Sequence, residues 1–196
     1  MKKWVVLGLV VAAVWWALYE KPAKWRGIPA RGEPVQITKD LAKPFQQGKY
    51  TLTPLANYTV KAVVLSACRY RFDEGADLVP VDLALGWGPM SVADVINSLK
   101  FSQSGRWYEY SWRGEAPLNP HDIAVNSANT HCIPANANIR RQLLSVTRHD
   151  LVTLEGCLVE IDGPKGFHRK SSLTRDDRGG GACEILYVTQ ITRQKL

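Results

Sequence analysis

The chain has 196 residues, 45% of them hydrophobic and seven of them tryptophan, which suits one folded domain with a short appendage and excludes a wholly disordered chain. The net charge is +7, but it is unevenly placed: residues 1–19 carry +2, residues 20–49 carry +4 and residues 50–196 only +1. A nucleic-acid binder needs a basic face on its folded domain, so a main domain this close to neutral argues against nucleic acid as a partner.

In chain order, residues 1–20 come first as a membrane anchor. Trp4 to Tyr19 is a run of sixteen residues without a charge, about 24 Å as a helix. Lys2, Lys3, Lys21 and Lys24 flank it and extend its reach by snorkelling, while Trp4, Trp15, Trp16 and Tyr19 lie near its two ends, where aromatic rings favour headgroup level. The rival is a cleaved signal peptide, but no small-residue cleavage site follows the apolar run. Lys2 and Lys3 favour a cytoplasmic N-terminus, the basic residues after the segment oppose it, and the long C-terminal region tips the expectation to a periplasmic domain on a bacterial inner membrane, with membrane lipid as a partner.

Residues 21–49 hold Pro22, Pro29, Pro34 and Pro44 with Gly27, Gly32 and Gly48, a composition that reads as a stalk. Residues 50–196 read as a β-rich globular domain. Strand patterns run through YTLTPLANYTVKAVVLSACRYRFD, DLVPVDLALGW, GRWYEYSW, HDLVTLEGCLVEIDG and ACEILYVTQIT. Ser91 with Asp94 announces a helix carrying Val92, Val95, Ile96 and Leu99 on one face. A second short helix is expected over 138–146, and residues 113–122 as a loop. Strands broken at Gly156 suit a strongly bent sheet. The expected fold is mainly β, a small barrel or curled antiparallel sheet with one or two short helices, plus the N-terminal transmembrane helix.

The segments GWGPMS, RWYEYSW, SANTHCIPA, HDLVTLEGCLVEI and SSLTRDDRGGGACE together resemble a family of bacterial proteins with a single N-terminal membrane segment. The resemblance implies the anchor-plus-domain layout. It supplies no activity and no catalytic residues.

The chemistry-bearing residues leave several readings open. His131 and Cys132 are adjacent, and sequence neighbours point in different directions, which argues against a dyad between them. A hydrolase could draw on His131 with Ser127, Ser171 or Ser172 and with Asp122 or Asp176, although no nucleophile elbow is present. A Ser–Lys dyad would use Lys170 with Ser171 or Ser172 in a polar stretch that gives the lysine no desolvation. The decapeptide SANTHCIPAN reads as a hydrogen-bonded structural loop. The cysteines at 68, 132, 157 and 183 contain no C-x-x-C pair, so no metal site is expected. Cys157 and Cys183, both in strand patterns, form a candidate disulfide. DDRGGGAC leads into a strand without the Lys-Ser/Thr of a phosphate loop and reads as a turn. No cofactor is implied. Trp87, Trp107, Tyr108 and Trp112 are more aromatic surface than a small core needs and are candidates for a binding patch. The first functional expectation is a membrane-anchored binding, scaffolding or accessory subunit of an envelope complex. The alternative is a membrane-anchored hydrolase using His131 with a Ser or Cys nucleophile.

Overall fold

The structure, a computed structural model, describes residues 24–175 and 182–195. The expected anchor and Asp176 lie outside the described residues. Among those described, no helix is long and apolar enough to cross a membrane.

Ten strands carry the fold among the described residues: β1 (Val35–Ile37), β2 (Phe45–Gln47), β3 (Tyr50–Arg69), β4 (Val81–Gly86), β5 (Lys100–Ser104), β6 (Trp107–Ser111), β7 (Ser127–Pro134), β8 (Leu151–Asp162), β9 (His168–Lys170) and β10 (Glu184–Gln194). Three short helices join them, α1 (Ala93–Ser98), α2 (Pro120–Val125) and α3 (Ala137–Ser145), with 3-10 turns at Gly88–Ser91 and Pro164–Gly166. The long β3 serves two neighbours. Its first part, Thr51 to Val63, pairs with β8, and its second part, Val63 to Arg69, pairs with β4. Bulges between Pro54 and Ala56 and between Val64 and Ser66 bend it, and the first also accommodates a proline that gives the ladder no N–H. The chain of neighbours β3–β4–β7–β10–β8 thus returns to β3 as a near-ring. The sheet is mixed, because β10 runs parallel to β7 and antiparallel to β8. Of the two expected forms, a small barrel or a curled antiparallel sheet, the antiparallel one is corrected here to a mixed sheet: β7 and β10 are separated by α3, β8 and β9, a connection long enough to return the chain in the same direction.

Alternation along the strands sorts side chains to two sides. Even-numbered residues of β3 from Tyr58 to Val64 face the inside of the ring with Val81, Leu83, Leu85, Cys132, Leu154 and Leu186. Outside the ring, Leu65, Ala84, Met90 and Ile96 form one apolar cluster under α1, and Leu52, Leu78, Ile133, Val159 and Ile185 form another. Gly156 sits where β8 passes close to β10, and a Cβ there would collide with the carbonyl of Tyr187. That close approach is why the strand carries glycine.

Four sequence-based expectations change. The stretch read as a stalk contributes to the body from residue 24 onward: Trp25 is 2% exposed in the cluster under α1, and β1 and β2 pair with β3. Trp25 is held because its indole N–H donates to the Ser91 carbonyl at 3.0 Å, while its backbone exchanges hydrogen bonds with the Asn97 side chain at 2.9 and 3.0 Å. Ser91 does not cap α1. It is buried, its hydroxyl donates to the carbonyls of Gly88 and Ala30, and the N-cap position falls to Val92. SANTHCIPAN is not a loop, since Ser127 to Pro134 form the strand β7 between β4 and β10. Polar residues stand in this buried strand because they meet one another on the outer face. The loop expected over 113–122 contains the start of α2, which Asn119 caps by accepting from the His121 N–H at 2.9 Å.

Candidate functional site

On the outer face of β4 and β7, between the two outer apolar clusters, lies a patch of polar side chains. Antiparallel pairing puts Asp82 directly across from His131. Parallel pairing puts Ile185 of β10 beside His131 and Glu184 beside Thr130, which carries Cys183, just ahead of β10, alongside Asn129. Residues far apart in sequence, Asp82, Asn129, His131 and Cys183, are thereby neighbours.

Asp82 is 0% exposed. Nδ1 of His131 lies 2.9 Å from its Oδ1, close enough to pair as charges, although the ring N–H is not aligned on the oxygen. The same Oδ1 accepts from Nη1 of Arg106 at 2.8 Å, and Oδ2 has no hydrogen-bond partner. Arg106 occupies the tip of the β5–β6 hairpin. Gly105 at φ 55° and Arg106 at φ 71° give the two left-handed positions of a tight hairpin turn. From there its Nε donates to Asp73 at 2.6 Å and its Nη2 to the Val79 carbonyl at 3.0 Å, with the guanidinium 3.7 Å from the centre of the Tyr70 ring. The tip is fastened again where Asn129 Nδ2 donates to the Arg106 carbonyl at 2.9 Å and Gln103 Nε2 to Asn129 Oδ1 at 2.8 Å. Asn129 Nδ2 also stands 3.8 Å from the sulfur of Cys183.

His131 and Cys183 share the wall of one pocket, and Cys183 acts on the imidazole together with Asp82. Burial pushes its pKa down, but the Asp82 carboxylate and the Cys183 side chain outweigh that and raise it from 6.5 to about 9. At neutral pH the ring is therefore an imidazolium between a carboxylate and a thiol, an arrangement that cysteine enzymes use to hold a reactive sulfur. Cys132, the sequence neighbour of His131, points the other way into the ring, fully buried, with its thiol pushed far up by burial. Strand alternation therefore gives the imidazole to Cys183.

The cluster opens into a pocket of about 350 Å³. Val79 and Glu74 come from the loop before β4, Trp107 from the hairpin, Phe167 and Arg169 from the segment around β9, and Ile185 from β10. His131 and Cys183 are both on its lining.

The remaining sequence candidates fall elsewhere. Ser171 is buried; its oxygen accepts from the Ile185 N–H at 3.0 Å and its hydroxyl donates to the Ser172 carbonyl at 2.9 Å, a bracing role. Lys170 makes a loose contact of 4.0 Å with Glu160. Cys157 and Cys183 are both free thiols rather than a disulfide, with Cys157 standing opposite Tyr187 in the β8–β10 ladder. Trp87 is 1% exposed and belongs to the core, so it presents no binding surface. Tyr108 and Trp112 are half-buried in a row of rings with Phe101 and Tyr110 that packs the hairpin onto the outer cluster. Trp107, 53% exposed at the pocket mouth, is the one of the four that meets solvent. Among the described residues no group of three or more His, Cys, Asp or Glu could hold a metal ion. Asp82, Arg106 and Asn129 were missed in sequence, as was Cys183 in the role its position gives it. The one local signal was Asp82, a charge inside the apolar run VPVDLALG. No protein-family model matches this chain, and no match is found among curated proteins or solved structures.

Proposed function

We propose that the chain is a cysteine-dependent acyl hydrolase, with Cys183 as nucleophile, His131 as its acid and base, Asp82 as the residue that orients and charges the imidazole, and Arg106 as the clamp on Asp82. The observation that carries this reading is the meeting of Asp82, His131 and Cys183 from three strands at the wall of one pocket. Asn129, with its amide nitrogen beside the sulfur, is placed to donate to the oxyanion of an attacked carbonyl.

The fold adds support. Numbered around the ring in chain order, β3, β4, β7, β8 and β10 neighbour one another as 1-2-3-5-4-1, with α3 between the third and fourth. We read this as an OB-type barrel. Such barrels bind ligands on the face of their second and third strands and with the loops after the first and fourth. Asp82 and His131 lie on that face, and the pocket draws on both loops. The membrane anchor and the periplasmic placement are part of the proposal and rest on residues 1–20 of the sequence.

A second reading keeps the pocket as a non-covalent binding site in an envelope complex, favoured by exposed Trp107 at its mouth. One experiment separates the two. The full chain is treated with a limiting concentration of iodoacetamide at pH 6 and the modified cysteine is mapped by mass spectrometry. The hydrolase reading requires Cys183 to react first, at least about tenfold faster than in a His131→Ala variant. Equal rates in the two proteins would sink it.

A further inference from the structure

The pocket lining carries two kinds of surface beside Cys183. One is apolar: Val79, Ile161, Phe167 and Ile185 belong to, or pack against, the outer cluster that continues beneath them through Leu52 and Val159. The other is cationic. Arg106 already gives its donors to Asp73, Asp82 and the Val79 carbonyl, so its charge is spent within the protein. Arg169 is different. It pairs across from Ile161 in the β8–β9 ladder, stands 5.1 Å from the Phe167 ring centre and donates to the backbone carbonyl of His168. Among the described residues no carboxylate forms an ion pair with it, as Asp73 and Asp82 do with Arg106. Glu160 and Asp162 of β8 face Lys170 and His168, the neighbours of Arg169 that strand alternation turns to the opposite face. Glu74 is the acidic residue on the lining.

We infer that the substrate is an ester or thioester with an apolar, medium-length acyl chain and an anionic leaving portion. The chain lies on the Phe167 side of the pocket, and the anion meets Arg169. This inference rests on Cys183 being the nucleophile. Reacting as the thiolate, the nucleophilic form of a cysteine, Sγ bonds to the acyl carbon while the carbon's bond to the leaving sulfur or oxygen breaks. The departing thiol or alcohol takes the proton from His131. Water then adds to the acyl-cysteine carbonyl, giving a proton to the imidazole, and Sγ leaves as the free acid is released. No oxidant or reductant is consumed. A volume of about 350 Å³ accepts an eight-carbon chain and leaves a two-carbon one poorly held. Each methylene buried against the apolar wall is worth about fourfold in kcat/KM.

The test uses the full chain with acetyl, butyryl and octanoyl thioesters of 2-nitro-5-thiobenzoate, which are anionic, and of thiophenol, which are neutral. Thiol release gives the rate, and intact mass gives the acyl adduct on Cys183. With roughly three to four of its six extra methylenes against the wall, the octanoyl donor is expected to exceed the acetyl donor by on the order of 100-fold in kcat/KM. Phe167→Ala should flatten that series. The variant R169A, altered at an exposed position, should lose at least about tenfold more on anionic than on neutral donors. Equal rates for acetyl and octanoyl donors, or equal losses on both leaving groups, would overturn the substrate class and leave the nucleophile standing. No adduct and no thiol release with any donor would instead overturn the nucleophile itself.

Discussion

Replacing Asp82 by Asn keeps the shape of a fully buried side chain and removes the charge that His131 and Arg106 share. The folded pKa of His131 is raised from 6.5 to about 9. A shift of that size makes the protonated ring worth up to about 3 kcal/mol of folding free energy. Because the folded value lies above the unfolded one, this stabilisation is fully present below about pH 6.5 and is lost as pH rises through about 9. In the Asn variant burial pushes the ring the other way against Cys183 alone, so most of the contribution disappears. Arg106 retains Asp73 at 2.6 Å, and its loss from Asp82 is a deficit that does not vary across this range. Urea unfolding followed by tryptophan fluorescence at pH 6 and pH 10 measures the difference. The variant should be less stable at both, with a gap wider at pH 6 by up to about 3 kcal/mol. A gap of the same size at the two pH values would refute the assignment of the imidazolium to Asp82.

Gly156→Ala forces a Cβ into the carbonyl of Tyr187 and should cost more than about 3 kcal/mol or prevent folding, read by thermal unfolding and yield. Asn136 caps α3 by accepting from the backbone N–H groups of Asn138 and Ile139 at 2.9 and 3.0 Å, so Asn136→Ala should lose about 1 kcal/mol by urea titration without altering the reactivity of Cys183. Ser171→Ala orphans the buried Ile185 N–H and should destabilise by about 1–3 kcal/mol, while thiol alkylation at pH 6 stays at the wild-type rate. Cys132, fully buried, should resist alkylation until urea unfolds the chain, and labelling in native buffer would count against its place inside the ring.

How much of this was legible follows from the range of the interactions. The strands over 50–69, 81–86, 107–111, 151–162 and 184–194 announce themselves because burial and alternation are local patterns. The helix at 137–145 does so for the same reason. β7 does not, because its outward residues Asn129 and His131 are polar in a strand that is nearly all buried, and polarity in sequence reads as loop. Only the partners Gln103, Arg106 and Asp82 explain why that strand tolerates them. Adjacency argues against pairing His131 with Cys132, and alternation along β7 does turn the two side chains to opposite faces. Cys183 lies 52 positions from His131 in sequence and is brought beside it only through a parallel register. The mixed sheet was hidden for that reason too, since nothing local distinguishes a strand that will pair parallel. The apparent excess of aromatics had a different origin. Trp87 fills the ring, and Tyr108 and Trp112 glue the hairpin to it, so composition overcounted the exposed surface.

The order in which the ring closes bears on how the protein is made. β10 follows β7 and β8 in the chain, and it must find both at once. Until it arrives, β7 and β8 each keep an unpaired edge, and long-range pairings of this kind are the slow ones in folding. On a ribosome the N-terminal parts have time to settle while the C-terminus is still being synthesised. Cys183 enters with β10, so the sulfur and the imidazole meet only once that strand has docked. A nascent chain that stops short of Cys183 carries His131, Asp82 and Arg106 without the sulfur they surround.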